Sequence, residues 1–517
     1  MSLRTHRAGL TLGTAAVTLV GSVLLAPPAG AGGNPDPTGF AHRVHTDDVV
    51  EHLEAFQAIA DENGGTRASG TPGYDASGDY VQTLLEDAGY EVERQEFDFV
   101  SSTTLTQTLA VGGAPIDVIA LEYSPSGAVS GPLSAVAADD ATPGCEATDY
   151  PATVAGTVVV VSRGVCTFTQ KQALATAAGA LGIVIYNNVP DEPLNGTLGG
   201  DVGGIPAGGV TQAVGQSLVA QAGATAALDI AVEITATSTF NIIAQTPYGD
   251  PDNVVMLGAH LDSVAEGPGI NDNGTGSAGI LQTALELAET KPTQNAVRFA
   301  WWGAEESGLI GSTEYVASLT EAELGQITGY LNFDMIGSPN YIIGVYDADQ
   351  STYVAPVAVP EGSASLEQVF TDWFDGTQQP WVDTEFSGRS DYQAFILAGI
   401  PASGLFTGAD DVKTEAEVAL FGGTAGITHD PNYHSAADDI TNVDETALGI
   451  NVRAIAYATL SLAQDPTPLD PTDNAPGNGH GNGNGHGNGH GNGHGGGHGN
   501  GDGHGHGGGW AGHDAAA

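Results

Sequence analysis

The sequence predicts an α/β protein: a mostly parallel central sheet flanked by helices, with a smaller β-rich α/β segment inserted into it. Three observations carry this expectation. From residue 240 onward apolar strands alternate with helical stretches, the order that builds a parallel sheet covered by helices. Residues 102–235 differ in texture, being rich in Ala, Gly and Val and holding both cysteines of the chain. Metal-ligating residue types fall where three of the later strands end, the edge on which open α/β sheets carry their sites.

Taken in order, residues 1–31 read as a secretory signal: Arg4 and Arg7 are followed by a mostly apolar stretch and an Ala29-Gly30-Ala31 cleavage site. Its weak apolarity and its Pro27-Pro28 end argue against a membrane anchor. Residues 45–62 place Val49, Val50, Leu53, Phe56 and Ile59 on one helical face, and Asn63-Gly64-Gly65 stops the helix. A second helix is expected over 74–88 and a strand over 90–99. In the insert, 158–161 and 183–185 are all-apolar runs suited to buried strands, with a short helix over 172–178. Beyond it, strands are expected at 254–259, 296–302, 328–333, 341–346 and 401–406. Helices are expected at 277–288, 306–319, 364–374 and 444–463. Residues 466–517 become Gly/Asn/His repeats holding eight of the 15 His and almost nothing to bury, which predicts a disordered tail. A flexible spacer with incidental metal affinity suits it better than a dedicated metal store. The domains expected are thus a main one from 32–101 and 236–465, and an insert over 102–235.

Charge excludes some functions. Asp+Glu number 62 and Lys+Arg 12, a net charge of -50, so the chain has no basic footprint for nucleic acid or an anionic membrane. Mutual repulsion favours a soluble monomer, and adaptation to salt or to a cationic ligand both fit. Two cysteines exclude a disulfide scaffold and a Cys-based zinc finger; in a secreted chain they predict a Cys145–Cys166 disulfide.

The chemistry lies at the strand ends. The first gives His260-Leu261-Asp262-Ser263, the second Ala304-Glu305-Glu306-Ser307 and the third Asn332-Phe333-Asp334-Met335. Asp272 lies in a Gly-rich loop after the first strand, and His434 far downstream. Two His and three carboxylates without a thiolate suit Zn²⁺ or a similar dication, and three carboxylates fit a pair of ions sharing one of them. Asp262, two residues from His260, is placed to orient its imidazole. If Glu306 is a ligand, Glu305 is free as a general base.

These motifs, with Asn271-Asp272-Asn273-Gly274-Thr275-Gly276 and Arg67-Ala68-Ser69-Gly70-Thr71-Pro72-Gly73, resemble the co-catalytic dizinc aminopeptidases of clan MH, the aminopeptidase Y and secreted leucyl-aminopeptidase type. The resemblance covers 40–100 and 236–465, and the insert resembles a protease-associated (PA) domain, which restricts access to a site. It implies that Asp272 bridges two Zn²⁺, that His260 and Asp334 complete one and Glu306 and His434 the other, and that Glu305 is the base. It implies further that Tyr433 helps stabilise the oxyanion and that Arg389 and Asp391 serve the substrate pocket. The expected reaction removes apolar, leucine-like N-terminal residues from peptides with a free N-terminus by metal-hydroxide attack; Ca²⁺ is a further candidate cofactor. Two other readings are a carboxypeptidase or acidic-dipeptide hydrolase, disfavoured by nine Arg in the chain, and a non-catalytic binding protein, disfavoured by the complete ligand set. Relatives often staple the last ligand's loop with cysteines where Asn432 and Ala437 stand here, so this loop needs another support.

Overall fold

A computed structural model describes residues 36–465, apart from 138–140, 165, 189–193, 195, 201 and 291. The expected signal and the His-rich tail lie outside the described residues.

The main sheet is built from strands β1 (Glu91–Val111), β2 (Thr225–Gln245), β3 (Asp250–His260), β4 (Asn295–Trp302), β5 (Ile327–Phe333), β6 (Gly344–Tyr346), β7 (Val382–Thr384) and β8 (Ala402–Phe406). Their order is β7-β6-β8-β5-β3-β4-β2-β1. At its centre β8, β5, β3 and β4 run parallel, so their carboxyl ends share one edge. Each central strand is buried on both faces, which is why each reads as an apolar run rather than an alternation. Successive residues still face opposite ways: Val297, Phe299 and Trp301 enter one core, Ala300 and Trp302 the other.

Helices cover both faces. The first core lies under α1 (Thr46–Glu62), α2 (Pro72–Asp87), α3 (Gly276–Ala288), α4 (Ser363–Thr377) and α5 (Glu445–Gln464). Among the described residues α5 alone is long and apolar enough to cross a membrane, and most of it is buried in this core.

Strands β1 and β2 are each 21 residues long and pair antiparallel along nearly their whole length. Both run without a break through residues 101 and 235, carrying the main sheet outward into the insert's own parallel strands (Gly127–Ala135, Val158–Ser162, Gly182–Tyr186). The Cys145–Cys166 disulfide is formed, with Sγ–Sγ 2.07 Å.

Two elements start several residues later than expected. The helix expected from 306 begins only at Ile310, because Ala304 and Leu309 are left-handed and Gly308 and Leu309 both donate main-chain bonds to Glu305 O, closing a turn. The strand expected from 341 starts at Gly344, because the carbonyls of Asn340 and Tyr341 are taken by the Lys413 ammonium instead of a neighbouring strand.

Candidate metal centre

Strand β3 delivers His260, which is 1 % exposed, to the carboxyl edge of the sheet. The chain then loops to Asp272, whose peptide to Asn273 is cis. This loop is held from below by Arg67, 0 % exposed, which donates to Leu261 O (2.5 Å), Pro268 O (2.8 Å) and Gly269 O (2.5 Å). Gly269 is left-handed, and a Cβ there would meet Asp272 O and Ser263 Cβ at 2.4 Å. Arg67 thus clamps the segment between two site residues, while its neighbour Ser69 accepts from Ala304 N at 2.7 Å and braces the second strand end. The buried guanidinium is lowered to about 10 by desolvation, opposed by Asp262, Asp438 and Asp272.

Among the described residues, three of the seven non-glycine residues with positive φ adjoin or form the site: Ala304 (54°), Met335 (50°) and His434 (54°). Such backbone is disfavoured for these residue types and clusters where side chains must be aimed. At Ala304 it turns the chain out of the strand, so that adjacent Glu305 and Glu306 both reach the cavity.

The ligand atoms converge. His260 Nε2 lies 3.2 Å from Asp272 Oδ1 and 3.4 Å from Asp334 Oδ1. His434 Nε2 lies 3.2 Å from Asp272 Oδ2 and 3.0 Å from Glu306 Oε2. Asp272 therefore stands between two imidazoles, one oxygen to each. Glu305 Oε2 is 4.0 Å from His260 Nε2, farther off than Asp272 or Asp334.

Electrostatics follow from this crowding. Burial lowers the His260 affinity for a proton, but the facing Glu305 and Asp334 carboxylates outweigh it and raise it well above the usual range. Burial raises Glu305 well above the carboxylic-acid range, opposed by His260 and reinforced by Asp391, Asp334 and Glu306. Burial pushes Glu306 up to about 7 against the pull of His434. Asp272 moves the other way: burial would raise it, but both imidazoles hold it low.

The donor set fits a metal. Asp334 Oδ1 and Glu306 Oε1 are buried without a hydrogen-bond partner, a state that costs free energy unless something else satisfies them. Imidazole nitrogens and carboxylate oxygens without a thiolate are the ligands of Zn²⁺ and similar ions.

Several placements refine the sequence reading. The His260 Nδ1 partner is the main-chain carbonyl of Asp262 at 3.1 Å, not its carboxylate, which stays at 3.6 Å. The carboxylate instead accepts from Glu305 N at 3.2 Å, fixing the second strand end against the first. Asp391 is buried, 1 % exposed, and burial pushes it up to about 7. Arg389 is half-exposed, paired with Asp410 at 2.9 Å, and 3.4 Å from the Tyr433 hydroxyl. Tyr433 stacks on His434 with centroids 3.8 Å apart.

Other residues escaped the sequence reading. Ser390 donates to Asp334 Oδ2 at 2.5 Å, and its place inside the Arg389–Asp391 motif was the available signal. Asp438 accepts from Asn271 N (2.9 Å) and Asp272 N (3.0 Å). Asn442 donates to both Asp438 and Asp430, and Asn432 donates to Asn442. This buried network ties the His434 loop to the Asp272 loop where a cysteine staple is missing. A separate acidic group, Asp347, Asp349 and Glu367, has its carboxylates occupied by main-chain amides of residues 348–353.

Two imidazoles and three acids gathered on the carboxyl edge of an α/β sheet, with a further glutamate beside them, define a metallohydrolase. Residues 241–459 match the model of peptidase family M28 and residues 129–218 that of the PA domain. The chain is 48 % identical over 437 residues to the probable lipoprotein aminopeptidase LpqL of Mycobacterium tuberculosis, covering 82 % of this chain and 86 % of that one. It is 42 % identical over 464 residues to leucine aminopeptidase 2 of Trichophyton rubrum, covering 88 % and 92 %. The crystal structure of BSAP, a zinc aminopeptidase from Bacillus subtilis, superposes with a TM-score of 0.59 at 26 % identity, over 81 % of this chain and 98 % of that one. The chain belongs to peptidase family M28, and it is a metallo-aminopeptidase of that family with an inserted PA domain.

Proposed function

We propose that this protein is a secreted monomeric aminopeptidase that holds two Zn²⁺ and removes apolar, leucine-like residues from the free N-termini of peptides. The observation that carries the reading is Asp272, with its two oxygens 3.2 Å from two different imidazoles and a different second acid beside each imidazole. His260 and Asp334 would hold one ion, Glu306 and His434 the other, with Asp272 shared. Zinc, when bound, polarises the scissile carbonyl and lowers the pKa of a water.

The protein's own groups then do the rest. Glu305 takes the proton of the attacking water and returns it to the leaving amine; burial opposes its charge and the bound ions would favour it. The acids around it favour a substrate's α-ammonium. Tyr433, stacked on His434 and accepting from Arg389, would donate its own O–H to the oxygen of the tetrahedral intermediate. A substrate carboxylate has little to meet: Arg389 is already paired with Asp410. The leucine preference is supported by the Trichophyton relative's name, and secretion by the signal-like start and the disulfide.

Leucine-p-nitroanilide tests the reaction, with its N-acetylated form as control. The free amine is cleaved and the blocked one is not; cleavage of the blocked form alone contradicts the reading. Glu305→Gln keeps its zinc and loses activity by about 10²–10⁴; near-normal turnover removes Glu305 as the base.

A further inference from the structure

The inserted domain reaches the turn beside the metal centre. Its Tyr123, 3 % exposed and left-handed at φ 58°, donates through its hydroxyl to Val100 O at 2.7 Å, with Ser307 O at 3.3 Å. Ser307 directly follows Glu306, so this contact seats the insert on the turn that carries both glutamates. Glu122 is held by its main chain, donating to Gly196 O at 2.9 Å and accepting from Leu198 N at 3.0 Å. Its carboxylate is hydrogen-bonded with Thr197 and interacts electrostatically with His434 and with Glu266. Glu266 belongs to the same rim: a Cβ on its neighbour Gly267 would lie 2.1 Å from Ser435 O, so these two loops touch.

The two sides of the metal centre differ in access. His260 is 1 % exposed and Glu305 8 %, whereas the His434 side chain is 34 % exposed. A peptide whose amine enters among the buried acids therefore leaves on the His434 side, where Glu122 and Glu266 stand. Among the described residues Arg389 is the cation that meets this rim, through Tyr433, and Asp410 neutralises it.

We propose that Glu122 of the inserted domain, with Glu266, forms an anionic lip on the leaving-group side of the cleft and selects peptides with a cationic residue after the scissile bond over those with an acidic one. This rests on the aminopeptidase reading and makes the insert part of the specificity site, not only a cover.

The test compares kcat/KM of the full-length zinc-loaded enzyme for Leu-Lys-Gly-amide and Leu-Glu-Gly-amide. The native enzyme prefers the lysine peptide. Glu122→Lys lowers the Lys/Glu ratio by about threefold or more, the scale of exposed charge pairs, and Glu122→Gln by less. The native preference shrinks in 0.5 M salt. Glu54→Lys, an equal charge change on the exposed face of α1, leaves the ratio alone. The proposal is overturned if Glu122→Lys does not move the ratio, or if Glu54→Lys moves it equally; should Glu122→Lys not fold, Glu122→Gln decides. If the native enzyme does not cleave leucine-p-nitroanilide, the aminopeptidase reading fails; if it does and the ratio is unmoved, only the lip fails.

Discussion

A side chain that binds a metal has to be held where the ion will sit, and here much of the holding falls to residues outside the proposed ligand set. Asp438 is the sharpest case. It accepts the amides of Asn271 and Asp272 from the loop that also carries His434, so it couples two elements that must move together if they move at all. Asp438→Asn puts an amide donor against a main-chain N–H and breaks that coupling. Its zinc affinity should fall at least about tenfold, read by competition with a chelator; unchanged affinity would mean the loops hold their places alone. Residues of this kind were not legible in the sequence, because an Asp four positions after His434 looks like any solvated loop acid. Three of the proposed ligands, His260, Glu306 and Asp334, were legible because each stands at or just after the end of an apolar strand; Asp272 and His434 stand in loops and were read from the motifs around them.

At the level of elements, strands gather the acids and loops aim them. The pattern of apolar runs was enough to find the central strands, since burial on both faces leaves few other options. It was not enough to find where the helix after Glu306 begins, because left-handed backbone at Ala304 and Leu309 leaves no periodic trace. Nor did it reveal that β1 and β2 continue into the insert as 21-residue strands. The segment around Arg67 was recognisable as a motif, but its work was not: it clamps the His260–Asp272 loop through three carbonyls. Arg67→Met leaves those acceptors buried and unpaired, which should cost about 3 kcal/mol or more in urea unfolding. A loss below about 1 kcal/mol would show that the loop supports itself.

For the molecule as a whole, the concentration of acids makes stability depend on pH and on metal together. In the metal-free protein burial raises Glu306 from 4.5 to about 7 and Asp391 and Asp438 from 3.8 to about 7. The unfolded chain gives up these protons first, so stability falls as pH rises through the interval between the two values. His260, raised above 6.5, acts in the same direction, its contribution being lost at higher pH. Asp272, held low, contributes a constant amount above its unfolded pKa near 3.8. The Tm in chelator should therefore drop from pH 5 to pH 8, and saturating zinc should shrink that drop; a flat or rising Tm in chelator would contradict the placement of these acids.

The pairing of two ions across one shared aspartate is the claim on which the rest depends. Crystals of the zinc-loaded protein, measured on both sides of the zinc absorption edge, test it directly. The anomalous difference map should show two peaks flanking the Asp272 carboxylate, one also against His260 and Asp334, the other against Glu306 and His434. A single peak, or a pair that leaves Asp272 out, would contradict it.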